Sequence, residues 1–346
     1  MNNKLAYFLR RLLLIIPTFL AITFLCFSIA QIVPGGPVDQ KIMEMRGFGD
    51  TGSSVRENAG DISEQQREEL TKAFGFDKPL IVRYYKWLIK DRLGLKMKSY
   101  MYTDKTAWQL ISTRFPISLT FGLSGFLLSY LICIPLGIAK ALKHGSVFDF
   151  TSSMMVFIAY SIPAFALGML LKMLFCGTTD GLWDFFPISG YQSDNFAMLS
   201  AFGKFKDIFI HMFLPVMCYV AGNFAVLTLL MKNSLLDQVG KDYMRTVIAT
   251  GVHYKTAVWK HAFRNSLIPI ATGFGSILTL IFASSVIIEQ VFEIPGMGRL
   301  SLTAITSRDY AVFMGILSLT SIFGLLGNVL SDLCYILIDP RINFDK

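Results

Sequence analysis

IFIHMFLPVMCYVAGNFAVLTLLM, residues 208–231, holds no Lys, Arg, Asp or Glu in 24 positions. The charged stretch KNSLLDQVGKDYMRTVIATGVHYKTAVWKHAFRN, residues 232–265, follows at once. At 1.5 Å per residue, a helical run of about 20 apolar residues crosses the roughly 30 Å hydrocarbon layer of a bilayer. Runs of this kind recur at 12–33, 116–139, 148–176, 266–290 and 312–338. The pattern predicts an all-α polytopic membrane protein with six transmembrane helices. Composition agrees: 53% of the 346 residues are hydrophobic and only 16% are charged, well short of the quarter usual in soluble domains. A net charge of +8 then raises a question of placement, because nucleic acid binding would need those charges on one solvated face.

Sorting the charges by loop answers it. With the N-terminus inside, the cytosolic pieces 1–11, 140–147, 232–265 and 339–346 hold 13 Lys and Arg, six of them in 232–265. The short loops expected on the other side, 177–207 and 291–311, hold only Lys204, Lys206, Arg299 and Arg308. This asymmetry orients the chain with both termini in the cytosol and makes the charge excess a topology signal. Lys4, Arg10 and Arg11 before the first run imitate a signal peptide, with Ser28-Ile29-Ala30 as a cleavage-like site. The run is too long for a signal h-region, so an uncleaved helix is expected. Cys26, Cys133, Cys176, Cys218 and Cys334 lie in or beside apolar runs without C-x-x-C spacing, which predicts no zinc site and no disulfide framework.

The loop 34–115 is too long for a plain connector. Gly47 to Gly60 reads as flexible, Ser63-Glu64-Gln65-Gln66 as a capping box, and Leu70, Ala73 and Phe74 as an apolar face. Gly75 to Pro79 is a turn, and Val82, Tyr85 and Trp87–Ile89 predict a second amphipathic helix. This extracytoplasmic cap either meets a partner, lies on the membrane surface, or packs over the spans.

In the loop 232–265, Leu236, Val239, Tyr243 and Val247 recur at helical spacing, with Asp237, Lys241, Asp242 and Arg245 on the other face. Gly251 is placed to stop this helix, since glycine tolerates the left-handed conformation at a helix end. A basic segment, Lys255–Arg264, then leads into Asn265 and Pro269. Two short helices here form either a lever that a partner could grip, moving the attached spans, or an interfacial element beside anionic lipid. The chain has no engine of its own. It lacks a G-x-x-x-x-G-K-[ST] phosphate loop, H-E-x-x-H, G-x-S-x-G and G-x-G-x-x-G after a strand. His144, His211, His253 and His261 have no ligand-like spacing, so no metal is expected.

Charged residues inside the spans are few. Lys172 is placed to snorkel to the headgroups, and Glu289, at a span edge, to be solvated. Asn328, Asp332 and Tyr335 share one face of the last span, where a buried carboxylate needs a partner such as the basic end of a neighbouring helix. Pro17, Pro135, Pro163, Pro215 and Pro269 are expected to interrupt spans, with Pro163 the most central kink.

Asp242-Tyr243-Met244-Arg245-Thr246-Val247-Ile248-Ala249-Thr250-Gly251, followed by His261-x-x-Arg264-Asn265 and Pro269, resembles the EAA signature of binding-protein-dependent ABC permeases. Three further segments are similar to the oligopeptide/dipeptide/nickel branch of that family. They are Asp77-Lys78-Pro79-Leu80, Glu289-x-Val291-Phe292-x-x-Pro295-Gly296-x-Gly298, and Asn328-x-x-x-Asp332-x-x-Tyr335-x-x-x-Asp339-Pro340-Arg341. Val33–Gln40, Tyr160–Phe165 and Phe186–Gly190 look most like the Yej-type permeases of microcin C and peptide importers. Ile248 and Thr250 stand where the family commonly has Arg and Lys, and Gly240 where it has a charged residue, so the contact surface should be more apolar than usual.

The resemblance implies the type I ABC importer architecture and a permease subunit for short peptides or peptide-like compounds, with glutathione or nickel complexes as alternative cargo. It also implies a second permease subunit, two cytosolic ATPase domains holding ATP and Mg2+, an extracytoplasmic peptide-binding protein, and the bacterial inner membrane as location. No nucleic acid partner and no cofactor in this chain are expected. Asp242–Gly251 would dock on an ATPase, with Thr246, Ala249 and Gly251 matching the motif. A channel or ion-coupled transporter would be expected to show more intramembrane charge or paired broken helices.

Overall fold

The computed structural model describes residues 3–32, 77–102, 104–177, 183–283 and 285–338. The capping box at 63–66 and Asp339, Pro340 and Arg341 lie outside the described residues, as does the side chain of Tyr335. The chain divides into two compact units, one of Met1–Ile15, Arg114–Arg299 and Phe323–Lys346, the other of Ile16–Thr113 and Leu300–Ile322.

Among the described residues all regular segments are helical: α1 Asn3–Ile32, α2 Leu80–Tyr85, α3 Ala107–Leu142, α4 Val147–Ser161, α5 Ala164–Phe175 and α6 Ala201–Val239. There follow α7 Asp242–Ala249, α8 Tyr254–Ala257, α9 Phe263–Ser266, α10 Ile268–Ala283, α11 Val286–Val291, α12 Met297–Thr306 and α13 Tyr310–Ile338. A π turn, Lys86–Lys90, continues α2, and another, Val258–Ala262, joins α8 to α9.

Helices α1, α3, α6 and α13 are long and apolar enough to cross a membrane. A fifth span is complete only if α4 and α5 count together, and they meet at 91°. The bend falls at Ile162-Pro163. Ile162 is extended (φ −90°, ψ 118°), as a residue before proline prefers, and Ser161 turns its hydroxyl back onto the Phe157 carbonyl 2.8 Å away. Pro17, Pro135 and Pro215, in contrast, sit inside continuous helices, and Pro269 is the second residue of α10. Proline therefore interrupts far less than the sequence suggests, because a proline inside a helix removes one backbone donor and neighbouring groups can re-satisfy the freed carbonyls. The expected span 266–290 is divided instead at Ser285, leaving α10 with 16 residues and α11 with six.

In the larger unit, α5, α6 and α11 pack around Phe121, Met212, Cys218, Ile288 and Phe292. Its second core joins the ends of α3 and α6 to α7, α8 and α9 through Met231, Leu235, Met244, Ala257 and Ala262. The smaller unit packs α2 and its π turn against Phe27 and Met314, with Tyr84 stacked on Trp87 at 5.6 Å.

Candidate coupling site

Helix α6 runs 39 residues, about 58 Å, so it outlasts a bilayer and carries its final turns beyond it. It stops at Val239. Gly240 closes the helix, Lys241 is extended (φ −75°, ψ 151°), and α7 starts again at Asp242. Tyr243 and Val247 turn inward and Met244 is fully buried, while Asp242, Arg245, Thr246, Ile248 and Ala249 face out. Met244 thus anchors α7 rather than offering a contact. Asp242 lies in the first turn of α7, where a carboxylate favours the helix dipole. Its 3.3 Å pair with Arg245 is wholly exposed and contributes little.

The end of α7 is a left-handed cap. Thr250 N–H donates to Thr246 O at 3.1 Å, Gly251 N–H to Ile248 O at 3.0 Å, and Gly251 sits at φ +90°. No atom lies within 4 Å of where a Gly251 Cβ would stand, so the requirement for glycine is one of backbone alone. The loop then returns through α8 to α9. There Asn265 donates to the Tyr243 hydroxyl at 3.4 Å, and that hydroxyl donates to Gln238 at 3.0 Å. Ser234 donates to the Ser266 carbonyl at 2.8 Å. These bonds make one body of the end of α6, α7 and α9. Arg264 donates from Nε to the Ile338 carbonyl at 2.9 Å, joining that body to the end of α13. His261, half-buried, lies in the π turn between α8 and α9.

Beside this corner lies a network that sequence reasoning missed. Asp149, near the start of α4, accepts from Lys232 of α6 at 2.7 and 2.8 Å and pairs with Lys140 of α3 at 3.3 Å. Lys140 has no exposure at all; it also donates to Ser152 at 2.9 Å and Ser153 at 2.7 Å. Gly145 N–H and His144 complete the shell of Asp149 at 3.2 and 3.3 Å. Counting Lys140 and Lys232 as solvated surface charges hid this; the available signal was one acid just after the basic loop 140–147.

The sequence places Glu289 in solvent, and the structure corrects this: its side chain is completely buried. Ser118 of α3 donates to Oε1 at 3.2 Å and the Arg299 N–H to Oε2 at 2.7 Å, while Met297 N–H donates to the Ser118 hydroxyl at 2.7 Å. Arg114 donates to the Pro295 carbonyl at 3.2 Å. A Cβ on Gly296 would collide with the Glu289 carboxylate, and one on Gly298 would come within 2.9 Å of Val286 Cα. Pro295, Gly296 and Gly298 therefore belong to a latch that folds the 295–299 backbone over a buried acid. Lys172 likewise turns inward rather than snorkelling: Nζ donates to the Val291 carbonyl at 2.9 Å and lies 5.9 Å from the Phe292 ring centre.

On α13, Asp332 is buried and pairs with Arg11 of α1. Asn328, one turn earlier, is exposed in this chain, so the two do not share a buried face. Pro163 and Pro269 lie at the α4–α5 bend and at the start of α10. Among the described residues no group of three or more His, Cys, Asp or Glu could hold a metal ion.

The corner is thus a short helix with one exposed face, seated on a buried base among long apolar helices. The chain belongs to the family of binding-protein-dependent transport system inner membrane components, matched over residues 133–344. It is 40% identical to the inner membrane ABC transporter permease protein YejB of Escherichia coli O157:H7, over 98% of this chain and 99% of that one. It is 36% identical to the peptidoglycan transport system permease protein YejB of Agrobacterium fabrum, over 99% of both. Identity to the oligopeptide transport system permease protein AppB of Bacillus subtilis is 31%, over 98% of this chain and 99% of that one. Family and long apolar helices together make this a multi-pass inner-membrane transport component.

Proposed function

We propose that the chain is the permease subunit of a type I ABC importer that moves short peptides or peptide-like compounds, of the microcin C type, by ATP-driven alternating access. The reading has six spans, with the bent α4–α5 pair and the divided α10–α11 segment each filling one, and a long first extracytoplasmic loop. Both termini lie in the cytosol. A second permease subunit completes the pathway, two ATPase domains supply ATP and Mg2+, and an extracytoplasmic binding protein delivers the cargo.

The observation that carries the reading is α7, with Arg245, Thr246, Ile248 and Ala249 outward, Met244 buried beneath, and Gly251 fixing the chain's return. An ATPase groove that grips this face moves a body already tied to α6 and, through Arg264, to α13. Peptide cargo is supported by relatives whose names specify peptide or peptidoglycan transport. An ion-coupled carrier is not favoured, because the family match and the relatives are components of binding-protein-dependent and ABC transport systems.

The test is the reconstituted complex with its binding protein. Oligopeptides should stimulate ATP hydrolysis several-fold, and Gly251→Pro should abolish both stimulation and uptake. Stimulation by a metal chelate alone would overturn the cargo, and a tagged chain that never retains an ATPase would overturn the permease reading.

A further inference from the structure

The smaller unit contains a cavity of about 290 Å³ that the coupling site does not use. Its wall includes Phe27 and Gln31 from the last turns of α1, Trp87 from the π turn, and Tyr310 from the start of α13. Around it stand four cations, Lys78, Arg83, Lys86 and Lys90, against one acid, Asp91. Arg83 donates to Gln31 at 2.7 Å, which fixes the guanidinium at the end of the α1 span. Lys78, Lys86 and Lys90 are exposed. Burial pushes the Asp91 carboxyl above the usual carboxylate range, while Lys86 and Lys90 pull it the other way.

The segment bearing these cations has three distinct faces. Leu80, Tyr84, Trp87 and Leu88 pack inward on Phe27 and Met314. Arg83, Lys86 and Lys90 follow one another at helical spacing along the cavity. The remaining face carries Ile81, Val82, Tyr85 and Ile89, which are 72%, 48%, 62% and 56% exposed, and of these Val82 and Tyr85 line the cavity. An exposed apolar stripe of Ile81, Val82, Tyr85 and Ile89 beside a row of cations is the pattern of an element lying in a bilayer interface. The position agrees, because Phe27 and Gln31 belong to the end of an apolar helix of membrane length, where lipid phosphates lie.

We propose that this cavity is a headgroup site for an anionic glycerophospholipid of the extracytoplasmic leaflet. The phosphate would sit among Arg83, Lys86 and Lys90, and an acyl chain would lie along Ile81, Tyr85 and Ile89. The cation excess selects a headgroup with net negative charge over a zwitterionic one. The apolar stripe selects a lipid over a free phosphate, which would leave it uncovered. The site goes beyond the transport reading and uses neither cargo nor ATP, so its failure leaves that reading untouched.

The test is native mass spectrometry of the full-length protein, with whatever subunits co-purify, titrated with dioleoylphosphatidylglycerol, dioleoylphosphatidylcholine or glycerol phosphate. Phosphatidylglycerol should bind at least tenfold more tightly than phosphatidylcholine. Each interfacial lysine contributes about 1 kcal/mol, about fivefold, so Lys86→Gln with Lys90→Gln should weaken phosphatidylglycerol on the order of 25-fold. Both side chains are exposed, so the melting temperature should hold, and Lys86→Arg with Lys90→Arg should keep the affinity. Equal binding of the two lipids, or an unchanged affinity in the double Gln variant, overturns the site. Displacement of the lipid by equimolar glycerol phosphate reassigns the cavity to a soluble phosphate and overturns the lipid.

Discussion

Asp149 and Glu289 are both buried acids at the edges of apolar helices, and their described partners differ in kind. Helix α3 touches both, through Lys140 and Ser118, and the separation of 22 positions gives about 33 Å along the helix, close to the thickness of a hydrocarbon layer. At the end beside α7, Asp149 is neutralised by lysine side chains from two other helices. At the other end, the described partners of Glu289 are a serine hydroxyl and a backbone N–H, and glycine opens the space. Side-chain cations tie helices together and can be exchanged. A backbone latch ties a loop to a helix and allows almost no substitution.

The largest way to break the comparison is Asp149→Ala, which leaves Lys140 charged, fully buried and without its acid. Removing one partner of a buried pair costs about 3–5 kcal/mol, so a steep fall in the detergent melting temperature is expected. Asp149→Asn should recover part of it by keeping the hydrogen-bonding shape. Unchanged melting in both variants would put Lys140 in water.

Next comes the latch. Glu289→Ala removes the carboxylate that accepts from the Arg299 N–H and the Ser118 hydroxyl and should cost about 2–4 kcal/mol. Gly296→Ala should cost about 1–3 kcal/mol by overpacking against the same carboxylate. The two penalties should be strongly non-additive, because removing the acid removes the collision. Simple additivity in a double-mutant cycle would mean the glycine serves something else.

The candidate coupling loop should respond less. Gly251→Ala forces a side chain into a left-handed residue, about 1–2 kcal/mol. The loss should show as weaker amide-exchange protection over Asp242–Ala249, with global melting preserved. Smallest of all is Arg245→Ala, with stability changed by less than about 0.5 kcal/mol because its pair with Asp242 is solvent-screened. Any defect in that variant should therefore be read in ATP-driven uptake, which separates a contact surface from a structural one.

Much of this was legible in the residues themselves. Leu236, Val239, Tyr243 and Val247 marked the inward face of the loop and Gly251 the end of α7, but the single helix expected through them is broken at Gly240-Lys241. The long apolar runs became α1, α3, α6 and α13. The division of the 266–290 run into α10 and α11 was not legible, because hydropathy measures transfer cost along a segment and is blind to a turn inside it. Glu289 and Lys172 were misplaced for a related reason. A charge near a span edge can reach water equally well on paper, and only the path of residues 291–299 shows that backbone groups reach it first. Asp332 needed a partner by chemistry, but which cation met it, Arg11, depended on how α1 lies against α13.

The sequence by itself determined what is local or periodic: an apolar run long enough to cross a bilayer must bury its backbone in helix, a glycine is needed where φ turns positive, and the motifs set the family. Only the tertiary structure decided which charges are spent inside the protein, since pairing requires helices distant in sequence to come within about 3 Å, and no spacing along the chain encodes that approach. Asp149 with Lys232, 83 positions apart, and Glu289 with Ser118, 171 apart, exist as sites for that reason alone.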